Sequence, residues 1–268
     1  MVETPHVCAY QQLPADGPLS AGWCIERFAP VLRALPEGLD EQSVSRPELL
    51  LHQETLSGRR WEIYYVPFDR IDPAARVALV GITPGRRQLH LAVQAARAAL
   101  LAGAEPDEAV RLAKQTGAFG GAIRTHAVAM LDGIGLADAL GLATTARLWD
   151  PQERVAAFTS AVGHAVFVDG ANWNGASLTR IPVLRTFAEQ ALGAELAAMP
   201  EALVIPFGKA ATEAVQLSVD SGRISAERCL FGFPHPSGAN GHRKRQYDQE
   251  RERLTEAVTA WRTATAAR

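Results

Sequence analysis

Three short loops hold the residue types best suited to chemistry. The first is Gly81-Ile82-Thr83-Pro84-Gly85, the second Asp169-Gly170-Ala171-Asn172-Trp173-Asn174, and the third His235-Pro236-Ser237-Gly238. A neutral histidine with a fixed tautomer can donate a hydrogen bond to an oxygen on which negative charge develops, a task open to His235. The Thr83 hydroxyl can hold a water but has no useful basicity near neutral pH. An asparagine amide offers a donor and an acceptor together, so Asn172 and Asn174 both suit the edge of a heterocycle. Asp169 is a carboxylate that would read a donor-rich edge or act as a base. All three residues also favour plain turns, and the sequence does not rank them. Gly85 and Gly238 let an anion approach the main chain closely.

Those loops need strands to carry them. Residues 76–82 (RVALVGI) form a short continuous apolar run ending in a Pro-Gly turn, as expected of a parallel strand buried on both faces. Further strands are expected at 164–169, 202–207 and 228–233, with helices at 89–101, 107–112, 123–131, 182–196, 209–217 and 246–263. Strands alternating with helices predict an α/β protein: three layers, α/β/α, around a central four-stranded, mainly parallel sheet. Ligands of such sheets sit beyond the carboxyl ends of the strands, where these loops lie. Residues 54–67 read as two strands around the Leu56-Ser57-Gly58 turn, and 23–35 as a helix. The expected organisation is an N-terminal extension, 1–70, packed on a core domain, 71–268.

Composition limits the function classes. The 268 residues are 47% hydrophobic, enough for one sizeable core, and the net charge of -2 excludes an overall basic coat. Any contact with nucleic acid must come from a local basic face, for which Arg86, Arg87, Arg243, Lys244 and Arg245 are available. The three cysteines, Cys8, Cys24 and Cys229, form no CxxC pair, so no metal site is expected and reduced thiols are. No signal peptide is read in residues 1–19 and no membrane-spanning run elsewhere, so a cytoplasmic protein without membrane partners is expected.

The first and third loops, in this order and after the first and last core strands, resemble the Gly-x-x-Pro-Gly and His-Pro-Ser motifs of the uracil-DNA glycosylase superfamily. Leu203 to Ala211 (LVIPFGKAA) is similar to its Leu-Gly-Lys-x-Ala strand-to-helix turn. Ala118 to Gly121 with Met130 to Leu136 is similar to the Phe-containing loop and helix end of its iron–sulfur branch. The resemblance covers about residues 77–247. It implies a monofunctional DNA glycosylase that hydrolyses the N-glycosidic bond of a flipped uracil-like or modified base, in DNA repair or anti-phage defence. Phe119 would stack on the base, with Ile82 beside it. His235 would donate to the leaving base, and Asn172, Asn174 or Asp169 would read its edge. Gly85, Arg86, Ser237, Gly238, Asn240, Arg243 and Lys244 would hold the DNA backbone.

The chain departs from that pattern at Thr83, where related enzymes often carry Asp or Asn to orient water. Asp169 is then the carboxylate expected to supply the missing base. The iron–sulfur cysteines are absent, so no cluster and no other cofactor is expected. Thr83 also motivates an alternative, a non-catalytic base-sensing DNA-binding protein that kept the glycosylase fold.

Overall fold

The computed structural model describes residues 7–8, 24–150 and 152–266. The leader-peptide reading of 1–19 lies outside these, apart from the two-residue strand β1 (Val7–Cys8). The chain continues through α1 (Ile25–Ala34), β2 (Leu50–Leu56), β3 (Arg59–Tyr64), β4 (Arg70–Ile71) and β5 (Val77–Gly81). Next come α2 (Arg86–Leu101), α3 (Pro106–Gly117), α4 (Ala122–Asp132), α5 (Leu136–Leu140), β6 (Ala156–Ser160), β7 (Ala165–Val168) and β8 (Ala171–Asn172). The final elements are α6 (Pro182–Thr186), a π-helical stretch (Phe187–Leu192), α7 (Gly193–Ala197), β9 (Leu203–Pro206), α8 (Gly208–Asp220) and α9 (Arg243–Ala266).

The protein is a mixed α/β structure with parallel and antiparallel strands. β5 is buried throughout and lies between β6 and β9 in a parallel sheet of order β6-β5-β9. Its side chains alternate between two apolar clusters, as the pleat demands. Val77 and Leu79 pack with residues of α4, α5 and α9. Ala78 and Val80 pack with residues of α6, α8 and the π-helical stretch. A third cluster joins α1, α2 and α3 to Tyr64 and Phe167.

Two strand expectations need correction. The 164–169 run is expected in the parallel sheet with β5, but the strand found there beside β5 and β9 is β6, at 156–160. The 164–169 run supplies β7, which pairs antiparallel with β3 in a second sheet of order β2-β3-β7-β8. Both runs are short and buried, so apolar content does not tell which sheet each enters. The strand expected at 228–233 reduces to one parallel bridge, Val204 to Cys229, extended by Leu230 N donating to Val204 O at 2.7 Å.

The β2–β3 hairpin turns through Ser57 and Gly58, both at positive φ (50° and 74°), the tight turn that suits twisted strands. Because β3 pairs with β7, strands from the first 70 residues share a sheet with the rest of the chain. Cys24 is disulfide-bonded, against the expectation of reduced thiols, while Cys229 is free. Disulfide formation depends on closeness in space, which wide sequence spacing conceals. Among the described residues, no helix is long and apolar enough to cross a membrane.

Candidate functional site

A cavity of about 610 Å³ opens where β5 ends. The turn after β5 contributes Gly81 to Gly85, β8 and its following loop contribute Asn172 to Asn174, and the α3–α4 connection contributes Phe119. The loop before α9 contributes His235, Ser237 and Asn240. Of the residues expected to form a site, the fold therefore brings Ile82, Thr83, Gly85, Phe119, Asn172, Asn174, His235, Ser237 and Asn240 to one place.

His235 is the most constrained of them. Its Nδ1 accepts a hydrogen bond from the Ser237 amide at 3.2 Å. That bond assigns the proton of a neutral ring to Nε2, which is left as a donor. Burial lowers the His235 pKa, favouring the neutral ring. The loop is braced three ways: Asn240 Nδ2 donates to His235 O at 3.2 Å, Arg243 to Ser237 O at 2.7 Å, and His126 Nδ1 contacts Pro236 O at 2.9 Å. From below, Gly208 sits at φ +80°, and a Cβ there would stand 2.8 Å from His235 Cβ. Glycine answers both demands.

Phe119 is buried and sits at a positive φ of 50°. Its ring meets Phe207 and Phe158 edge-on, with centroids 5.1 and 6.1 Å away. A Cβ on Gly81 would lie 3.1 Å from that ring, so the first motif's glycine makes room for the aromatic.

Asn172 accepts at Oδ1 from the Arg86 amide, 2.9 Å, in the first turn of α2. Its Nδ2 stands 3.5 Å from where a Cβ on Gly85 would lie, and both residues line the cavity. Asn174 is exposed, and its Oδ1 accepts from the Ala176 amide at 3.0 Å, a turn bond. Thr83 donates its hydroxyl proton to His164 O at 2.6 Å, leaving only acceptor capacity for a water.

Five expected residues, Asp169, Arg86, Gly238, Arg243 and Lys244, are not part of the cavity lining. Asp169 lies outside the cavity lining: Arg59 bonds it at 2.8 Å and the Arg60 amide at 2.9 Å, contacts that lower its pKa. It is a strand-end clamp and cannot act as the cavity's base. The Arg86 guanidinium stacks 4.3 Å from the centre of the Phe167 ring and donates to Ser45 Oγ and Gly170 O, so it is not a free backbone contact. Arg243 holds the Ser237 carbonyl, and Lys244 is highly exposed beside Asp248. Gly238 has open space around it, as close approach of an anion requires.

The sequence reading missed the deepest polar groups. Asp69, Thr159 and Glu195 all line the cavity and are all buried. Thr159 Oγ1 donates to Glu195 Oε2 at 2.5 Å, and Lys114 Nζ stands 3.5 Å from Glu195 Oε1. Asp69 accepts from Tyr65 Oη and from the Ile25 amide, both at 2.8 Å, and burial raises its pKa. No loop motif flags these residues, which come from three separate elements. Asp69 also lies near Cys24 and Glu26, the one group of potential metal ligands among the described residues. There the Cys24 sulfur is in a disulfide and Glu26 pairs with Arg70, so the group does not offer a free ligand set.

The chain is 33% identical over 242 residues to the uncharacterized protein YoxB of Bacillus subtilis (strain 168), covering 89% of this chain and 93% of that relative. No family model and no solved structure matches it.

Proposed function

We propose that this chain, which belongs to the same family as YoxB of Bacillus subtilis, is a DNA glycosylase that removes a flipped uracil-like or modified base and leaves an abasic site. One observation carries this reading: Phe119, Asn172 and His235, far apart in sequence, line a single cavity beyond a parallel strand. The aromatic offers a stacking face and the amide offers donors to a base carbonyl. The His235 Nε2–H can hydrogen-bond the oxygen that gains charge as the glycosidic bond breaks. Water then takes the place of the base at the sugar carbon, and the departing base takes up a proton. Ser237 lines the cavity and Gly238, next to it in the loop, has open space around it, which suits the passage of a DNA backbone. On this reading the β6-β5-β9 sheet, with its helices and the bridge to Cys229, is the core of a three-layer α/β/α fold with a mainly parallel central sheet. Cytoplasmic DNA repair or defence against phage would be its setting.

The test is direct. Oligonucleotides carrying uracil, hypoxanthine, 5-hydroxymethyluracil, cytosine or 5-hydroxymethylcytosine are incubated with the protein, and abasic sites are cleaved with alkali. Product that disappears in His235→Ala is expected. Absence of product on every base, or product that persists in the variant, rules the reading out.

One observation favours a second reading, a base-sensing DNA-binding protein without chemistry. The Thr83 hydroxyl proton is committed to His164 O and Asp169 is outside the cavity, so neither expected water-activating group acts as a base. Binding to modified DNA without cleavage would select it.

A further inference from the structure

We propose that Glu195 is the specificity-determining acceptor at the floor of this cavity, and that it selects an enlarged base bearing an exocyclic amino group over its oxo counterpart. The inference rests on the base-binding reading of the cavity and names the substrate class within it.

The cavity is graded in polarity. Its rim is exposed and carries Asn172 and Asn174, whereas Thr159 and Glu195 are buried at 8% and 7% exposure. A buried carboxylate is costly unless its oxygens have partners. Glu195 has one on each oxygen, the Thr159 hydroxyl and the Lys114 ammonium. Each carboxylate oxygen has two lone-pair directions, so these contacts leave acceptor capacity and no donor. Lys114 is itself anchored by donating to Arg70 O at 2.6 Å, so the carboxylate is held from behind.

The helix that carries Glu195 is built for this. Between α6 and α7 the chain winds as a π-helix over Phe187–Leu192, immediately before Gly193. A π-turn adds residues to a turn and rotates everything after it, and such turns concentrate at functional sites. Ala191 and Leu192, from that stretch, line the cavity with Glu195.

The polarity pattern fixes the ligand. Asn172 at the rim presents donors, which match a carbonyl. Glu195 at the floor presents acceptors, which match an N–H. A base with a carbonyl toward the rim and an amino group at its buried edge satisfies both, whereas an oxo group there would face the carboxylate. A volume of about 610 Å³ lies within the range of drug-sized ligand sites and exceeds what a lone pyrimidine needs, which leaves space for a side arm on the base.

The test titrates the full-length protein with four nucleosides: 2′-deoxycytidine, 5-hydroxymethyl-2′-deoxycytidine and their two oxo counterparts, 2′-deoxyuridine and 5-hydroxymethyl-2′-deoxyuridine. Each amino member should bind roughly tenfold to a hundredfold more tightly than its oxo partner, the worth of one hydrogen bond to a charged group. Glu195→Gln should abolish that preference, and Glu189→Gln, at a carboxylate outside the cavity paired with Arg185, should leave it intact. Should Glu195→Gln fail to fold, Thr159→Val, which removes the hydroxyl that holds the carboxylate in position, should still reduce the preference. A preference for oxo members, no binding of any member, or a preference unchanged in folded Glu195→Gln overturns the proposal. So does a variant that binds normally and loses only turnover, since Glu195 would then serve the water. The same bases placed in oligonucleotides and scored for abasic sites test the glycosylase reading separately. Amino preference without excision would sink that reading alone, and excision with oxo preference would sink this one alone.

Discussion

The Ser237 amide donates to His235 Nδ1 across a two-residue loop, and this bond decides which nitrogen of the ring can act. If the Nε2–H stabilises the leaving base, His235→Ala should lower the single-turnover excision rate by roughly 10²- to 10³-fold, as removal of one such donor does elsewhere. Burial lowers the His235 pKa, which favours the neutral ring. The acid limb of the pH–rate profile should therefore lie below the ordinary histidine pKa.

Gly208 supports the same ring from below. Gly208→Ala would force a side chain into φ +80° and place a Cβ 2.8 Å from that of His235. The left-handed conformation alone costs about 1–2 kcal/mol. Urea denaturation should register that loss, and excision should fall further than stability does because the histidine is displaced.

Asn172 separates a structural task from a binding one. Asn172→Asp keeps an oxygen for the Arg86 amide and removes the NH₂ donors. Stability should stay close to that of the parent while nucleoside affinity drops. Asn172→Ala should lose both, with about 1 kcal/mol of stability, the typical worth of a bond to a first-turn amide.

His164 reports on packing. It is fully buried, its Nδ1 accepts from the Val66 amide at 3.3 Å, and burial lowers its pKa from 6.5 to about 3. The unfolded chain takes up a proton below pH 6.5 while the folded one does not, so stability present above 6.5 is lost as pH falls toward 3. From pH 6.5 to 5 this amounts to about 2 kcal/mol. Denaturant midpoints of the parent and of His164→Gln at pH 7 and 5 should show the parent losing that much more.

Thr83 carries a bond to the carbonyl of the same histidine residue. Thr83→Ser should preserve both stability and activity. Thr83→Val should cost about 1 kcal/mol by leaving that carbonyl short of a partner. Excision by Thr83→Val at near-parent rate would show that the hydroxyl holds no essential water.

The sequence determined β5, β9 and the turns that follow them, because a continuous apolar run and the glycines and prolines that end it are local signals. It also determined that Thr83 follows the end of β5, whereas Asn172, in β8 of the second sheet, and His235, after a single bridge, reach the same cavity only through tertiary packing. Sheet membership was not local. The run at 156–160 (AAFTS) is small and partly polar, yet it lies beside β5, while the more apolar 165–168 pairs with β3. Hydrogen bonding between distant strands makes that choice. Asp169 and Arg86 looked free to act in sequence, but Arg59 and Phe167, brought beside them by the second sheet, engage both. Glu195 lies within the helix expected at 182–196, and no motif surrounds it. The π-turn before it, with Thr159 from β6 and Lys114 from α3, buries it at the cavity floor, and a burial decided by three separate elements leaves no mark on any one of them.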